Sequence, residues 1–162
     1  KNAMAKILNL KYPLILFWLA SLAVGILFAV VIDANKGEVV AGTNGQFVMP
    51  SSRTMWLLCC SVAYLCQAAS YSIISEIARE EDDEIPVLLF WAQFFLLVVW
   101  LGLYFGLHLA GAALFDLFAA VLIMTFGFSE FRAMSTIAAL LMLPYIGLVC
   151  FLLFMNIYTF LI

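Results

Sequence analysis

Long apolar runs decide which solvent this chain folds in. Five of them, at 12–32, 55–75, 86–107, 109–128 and 135–162, account for most of the sequence. Each has about the 20 residues that a helix needs to cross the hydrocarbon core of a bilayer. They are apolar on every face and far longer than barrel strands, which alternate apolar and polar over about ten residues. In lipid the backbone must satisfy its own hydrogen bonds, and a helix does so within one segment. Composition agrees, because 67% of the residues are hydrophobic and 10% charged, against roughly 45–50% and 25% in soluble domains. The expectation is an all-α fold: one domain over 1–162, an integral membrane bundle of five transmembrane helices in contact with lipid.

The third and fourth runs are barely separated. Residues 86–128 are interrupted by Gln93, His108 and Asp116 alone among strongly polar groups. That stretch is twice one span, and Gly106, His108 and Gly111 supply the only turn chemistry, so a tight hairpin is predicted there. The first run is too long and wrongly flanked for a cleaved signal and reads as a retained helix. Cys59, Cys60, Cys66 and Cys150 all fall inside runs, without metal-ligand spacing, and read as small buried apolar residues.

Five spans put the two termini on opposite sides. Lys6, Lys11, Arg79 and Arg132 share the side of the N-terminus, against Lys36 and Arg53 on the other. The positive-inside rule therefore places the N-terminus in the cytoplasm. The second connection, 76–85, carries Glu76, Glu80, Glu81, Asp82, Asp83 and Glu84 in a nearly continuous row, which reads as a solvated charge run rather than a spaced cation loop. Residues 33–54 form the one long connection, rich in Gly, Asn and Ser, and are expected to be a loop that can act as a lid.

Inside the spans, helical spacing groups the polar and aromatic residues. Gln93, Leu97, Trp100 and Tyr104 share one face of the third helix; Tyr145, Val149, Leu152 and Asn156 share one face of the fifth; Trp56, Cys60, Ala63 and Gln67 share one face of the second. Two functions suit such faces: the wall of an apolar cavity with a few polar anchors, or interhelical hydrogen bonding. Asp116 lies within the fourth span, where an ionised carboxylate costs about 2.5–3.5 kcal/mol, so it must face protein or water. Close helix packing is expected at Ser21 with Gly25 and at Ala112 with Asp116. Pro144 interrupts the fifth helix.

From Phe90 the stretch FWAQFFLLVVWLGLYFG, then GAALFDL, then LLMLPYIGLVCF followed by Asn156, resembles the translocator protein family, also called the tryptophan-rich sensory protein or peripheral benzodiazepine receptor family. Length and number of spans match over the whole chain. By that resemblance Gln93, Trp100, Phe105, Gly106, Asp116, Pro144, Tyr145, Phe151 and Asn156 stand at family positions, and Trp56 is similar to the tryptophan that opens the second helix. The chain departs from the family at Leu97, where relatives carry Asn, at Leu101 and Gly102, where they carry Pro, and at Ala112 and Leu148, where many carry Trp. The W-x-P-P signature before the second helix is missing.

The resemblance implies a homodimeric membrane receptor for a hydrophobic planar ligand such as a porphyrin. No cofactor is required, although a bound porphyrin or lipid is expected, and there is no nucleic-acid partner. The ligand-binding residues it implies, together with the shared faces, are Trp56, Gln93, Leu97, Trp100, Tyr104, Asp116, Ala119, Tyr145, Phe151, Leu152 and Asn156. A small transporter of a hydrophobic solute, with Asp116 as coupling group, and a structural subunit without a ligand are the alternatives. An enzyme is the weakest reading, because no nucleophile and base pair, metal cluster or phosphate loop is present.

Overall fold

The computed structural model describes residues 2–42 and 53–161, all but the turns being helical. Five helices follow one another: α1 (Asn2–Gly42), α2 (Arg53–Glu81), α3 (Ile85–Leu101), α4 (Ala110–Met134) and α5 (Thr136–Leu161). A single π-helical turn, Gly102–Gly106, extends α3. Each helix contains a stretch long and apolar enough to cross a membrane, from Ile15–Asn35 in the first to Thr136–Leu161 in the last. The protein is a multi-pass integral membrane protein.

Helix α1 packs on α2, α2 on α5, α5 on α4 and α4 on α3, so the helices are arranged around the bundle in the order α1, α2, α5, α4, α3. The ring closes loosely, because α2 and α3 approach along a short length and α1 has almost no backbone approach to α3. Aromatic side chains fill that seam. Phe17 of α1 meets Phe90 and Trp91 of α3 at 5.9 and 6.0 Å, and higher in the bundle Phe28 stacks on Trp100 at 5.8 Å.

Small residues set the tightest contact. A Cβ on Gly25 would stand 3.0 Å from the Tyr64 Cβ and 3.2 Å from the Cys60 carbonyl, so α1 and α2 approach as closely as a glycine permits. Ser21 is buried one turn away, and the expected Ser21–Gly25 seam is present. The expected seam at Ala112 is not. Ala112 faces outward, and the inward residues of α4 are Ala113, Leu117 and Ala120.

Several hydroxyls on these helices are tied to backbone or to other side chains, as a low-dielectric surround favours. Thr125 Oγ1 donates to the Val121 carbonyl at 2.8 Å and Ser129 Oγ to the Thr125 carbonyl at 3.2 Å. Between helices, Trp18 Nε1 donates to Ser72 Oγ at 2.9 Å, and Ser70 Oγ to the Ala138 carbonyl at 2.8 Å.

The turns are short. Between the π turn and α4 lie three residues, with His108 in the left-handed region at φ 54° and the Leu109 amide donating to the Leu103 carbonyl at 2.9 Å. This is the expected tight hairpin. The acidic connection is shorter than expected, because Glu76 to Glu81 continue α2 and the turn itself is Asp82–Glu84. Asp82 takes φ 56°, and Asp83 Oδ1 accepts from the Ile85 amide at 3.0 Å, which satisfies the first free amide of α3 just before Pro86. The long connection is also shortened. Asp33 to Gly42 continue α1 as helix, since no residue before Gly42 forces a break, and residues 43–52 lie outside the described part of the chain. The expected lid at 33–54 is therefore helical over 33–42 and otherwise falls largely on residues outside the described part.

Candidate ligand-binding site

The three faces that helical spacing picks out all turn inward. Trp56, Cys60, Ala63 and Gln67 of α2, Gln93, Leu97 and Trp100 of α3, Tyr104 of the π turn, and Tyr145, Val149, Leu152 and Asn156 of α5 are all buried. They run from mid-height, at Gln67, Gln93 and Tyr145, to the C-terminal ends of α3 and α5, at Tyr104 and Asn156.

Asn156 is the polar centre of that half. With its amide turned so that the carboxamide oxygen faces Trp100, it accepts from Trp100 Nε1 at 3.0 Å and donates to the Ala110 carbonyl at 3.1 Å. This orientation satisfies both ends, which the reverse would not. One side chain of α5 thus joins the end of α3 to the start of α4. The Trp100 ring stacks on Tyr104 at 5.3 Å, and the Tyr104 hydroxyl donates to Thr159 Oγ1 at 3.1 Å, which in turn donates to the Met155 carbonyl at 2.9 Å. The π turn places Tyr104 for this contact. An extra residue in the turn advances the chain beyond the α-helical register, a device common near functional sites.

These rings fill the bundle interior with their own side chains, so the inner faces form a packed core. A broad apolar hollow lies outside them. It is a groove of about 570 Å³ between α2 and α5, lined by Trp56, Cys59, Val62, Pro144, Leu148 and Phe151 among others. Its floor is the Trp56–Phe151 pair, with ring centroids 5.5 Å apart. Outward residues of both helices form its walls, and Cys59, Val62 and Pro144 are exposed.

Of the residues expected to bind ligand, Trp56 and Phe151 therefore line the groove. Gln93, Leu97, Trp100, Tyr104, Tyr145, Leu152 and Asn156 stand behind it in the core. Asp116 and Ala119 are half-buried on α4, away from the groove, and Asp116 Oδ2 is buried without a hydrogen-bond partner. Cys59 and Val62 were not foreseeable as lining residues. In lipid an outward-facing residue and a groove residue are equally apolar, so periodicity separates inside from outside but not one outside patch from another. Cys59 and Cys150 are likewise exposed, which corrects the reading of all four cysteines as buried; Cys60 is buried and Cys66 half-buried. Among the described residues no three His, Cys, Asp or Glu side chains cluster closely enough to hold a metal ion.

The groove's surface is almost wholly apolar, with the rings of Trp56 and Phe151 at its base. No curated protein and no solved structure gave a match to the chain. The model of the TspO/MBR family matches residues 17–161, which takes in all five spans described above. Fold, span order and that match agree: the chain belongs to the TspO/MBR family.

Proposed function

We propose that this membrane sensory or binding protein takes up a flat, hydrophobic ligand of porphyrin type from the surrounding lipid, through the groove between α2 and α5. Family membership supports a membrane sensory or binding role in general, and the groove supports the finer reading. The observation that carries it is the Trp56–Phe151 pair, 5.5 Å apart at the base of an apolar groove of about 570 Å³. Small-molecule sites run to about 300–1,000 Å³ and are mostly apolar with aromatic walls. A planar ring system can lie against the indole of Trp56 with its edge along Leu148 and Phe151 while its remainder stays in lipid.

The experiment is a titration of the full chain in lipid nanodiscs with protoporphyrin, followed by quenching of tryptophan fluorescence. Saturable quenching is expected, and Phe151→Ala should weaken it by about 5- to 150-fold, the range of one lost stacking ring taken from stacking on bases. Saturable quenching that is untouched by Phe151→Ala places the ligand elsewhere. Absence of quenching favours a structural subunit.

The transporter reading keeps one specific support, the buried and unpartnered Asp116 Oδ2. A coupling carboxyl would make ligand movement across the bilayer depend on pH, and Asp116→Asn would abolish that dependence.

A further inference from the structure

Three polar atoms at mid-height in the bundle are buried without a hydrogen-bond partner among the described residues: Gln67 Nε2, Gln93 Oε1 and Tyr145 Oη. Their residues are 2%, 2% and 0% exposed. Helix register sets them in one layer. The Tyr64 ring meets the rings of Phe94 at 6.3 Å and Tyr145 at 5.6 Å. Farther along α2, Tyr71 meets Phe90 at 4.4 Å. Helices α2 and α3 run antiparallel, so residue 67, about midway between Tyr64 and Tyr71, stands level with residues 92–93, between Phe94 and Phe90. The Gln67 side chain also lies beside the Tyr145 hydroxyl, yet the pair falls outside hydrogen-bond geometry and both atoms remain unpaired.

All three side chains leave the inner faces of their helices. Gln67 follows Ala63 and precedes Ser70, Gln93 lies between Phe90 and Leu97, and Tyr145 lies between Met142 and Val149, every one of these neighbours buried. The groove between α2 and α5 does not include them; on α5 it takes the outward Pro144 and leaves the inward Tyr145. Their chemistry is complementary. Gln67 offers an N–H donor, Gln93 a carbonyl acceptor, and the Tyr145 hydroxyl can do either.

A buried polar group left unpaired lowers the folding equilibrium constant by about 5- to 150-fold, and hydrocarbon supplies no remedy. A single water molecule does, since it can accept from Gln67 Nε2, donate to Gln93 Oε1 and bond the Tyr145 hydroxyl. Three partners is the usual number for a buried water. We propose that Gln67, Gln93 and Tyr145 form a polar site near the middle of the membrane that holds one internal water and links α2, α3 and α5 through it.

The test uses the full chain, isotopically labelled, in lipid nanodiscs, with magnetisation transfer from water to side-chain amide protons. Transfer to the Gln67 amide is expected in the parent protein, and is lost in the double variant Gln93→Met with Tyr145→Phe, where Gln67 itself is intact. If the double variant does not fold, Tyr145→Phe alone should reduce the transfer at least twofold. The two substitutions share one water, so their combined effect on the unfolding equilibrium should fall short of the product of the single effects. Absence of transfer in the parent protein, or full transfer retained in either variant, would overturn the proposal, as would effects that simply multiply. Saturating protoporphyrin should leave the signal unchanged, because the groove between α2 and α5 does not include these residues. Loss of the signal on adding porphyrin would mean that a ligand's polar group, and not a resident water, is what these residues hold.

Discussion

Replacing Asn156 by leucine removes the acceptor of the Trp100 indole N–H and the donor to the Ala110 carbonyl in one step. The two side chains are close in size, so no large cavity opens and the cost is mainly that of unpaired groups. Ala110 begins α4, and its carbonyl keeps the intrahelical amide that reaches it one turn on. Trp100 has no such reserve, because it is completely buried and an indole can only donate. An orphaned buried donor costs about 1–3 kcal/mol. Interhelical hydrogen bonds in membranes average about 0.6 kcal/mol and reach about 1.7, because the unfolded chain in lipid finds other partners. Together these give about 1–2 kcal/mol, or 5- to 30-fold in the unfolding equilibrium. The assay is reversible unfolding in mixed detergent micelles, read by circular dichroism so that the tryptophan count does not matter. A cycle with Trp100→Phe isolates the pair, since phenylalanine needs no acceptor. With Trp100→Phe already in place, Asn156→Leu should cost at least 0.5 kcal/mol less than in the parent protein, within the usual range of coupling for groups in contact. Equal costs in both backgrounds would show that the Asn156–Trp100 bond contributes nothing and that the amide does not present its oxygen to the indole.

Gly25→Ala should lower the thermal midpoint of unfolding by several degrees, about 1–3 kcal/mol of overpacking against Tyr64 and Cys60. Gly147→Ala, where an added Cβ meets no atom within 4 Å, should leave the midpoint unchanged or slightly raised. In the porphyrin titration Leu148→Trp should tighten binding by about 5- to 150-fold by adding a ring to the groove wall, whereas Ala112→Trp, which faces lipid from α4, should do nothing. Equal gains from both would mean that the ligand site is not between α2 and α5. Asp116→Asn should fold with an unchanged midpoint, because Oδ2 has no partner to lose; a drop of more than a few degrees on calorimetry would reveal a bond that this geometry does not contain.

Helix number, span order and the inward faces were legible because the hydrocarbon layer imposes strong rules. Unbroken apolar runs of about 20 residues can only be helices there, and a face that repeats Gln93, Leu97, Trp100 and Tyr104 can only turn toward protein. The Ser21–Gly25 contact and the hairpin at His108 followed from small-residue spacing and turn chemistry in the same way. What failed to show has a physical reason too. Hydropathy marks where a helix leaves the hydrocarbon and not where it ends, so Asp33–Gly42 and Glu76–Glu81 read as connections although both are helical. Nor does sequence say whether an inward face encloses a ligand or its own neighbours. The rings of Trp100, Tyr104, Phe28 and Tyr64 settle into one another, and an apolar hollow forms on the outward side, where Leu58 and Val62 look like any other lipid-facing residue.

The seam between α1 and α3 sets how the bundle can breathe. Around the rest of the ring successive helices approach closely along their backbones; here Phe17, Phe28, Phe90 and Trp100 stand between helices that do not. A benzene ring held on both sides can turn over only when its surroundings dilate for a moment, so the flip rates of Phe17, Phe28 and Phe90 are a clock for transient separation of the α3–α4 hairpin from α1. Because Phe28 lies against Trp100 and Trp100 is tethered to Asn156, the upper part of the seam should flip more slowly than the lower part, giving the bundle a stiff end and a soft end along the same interface.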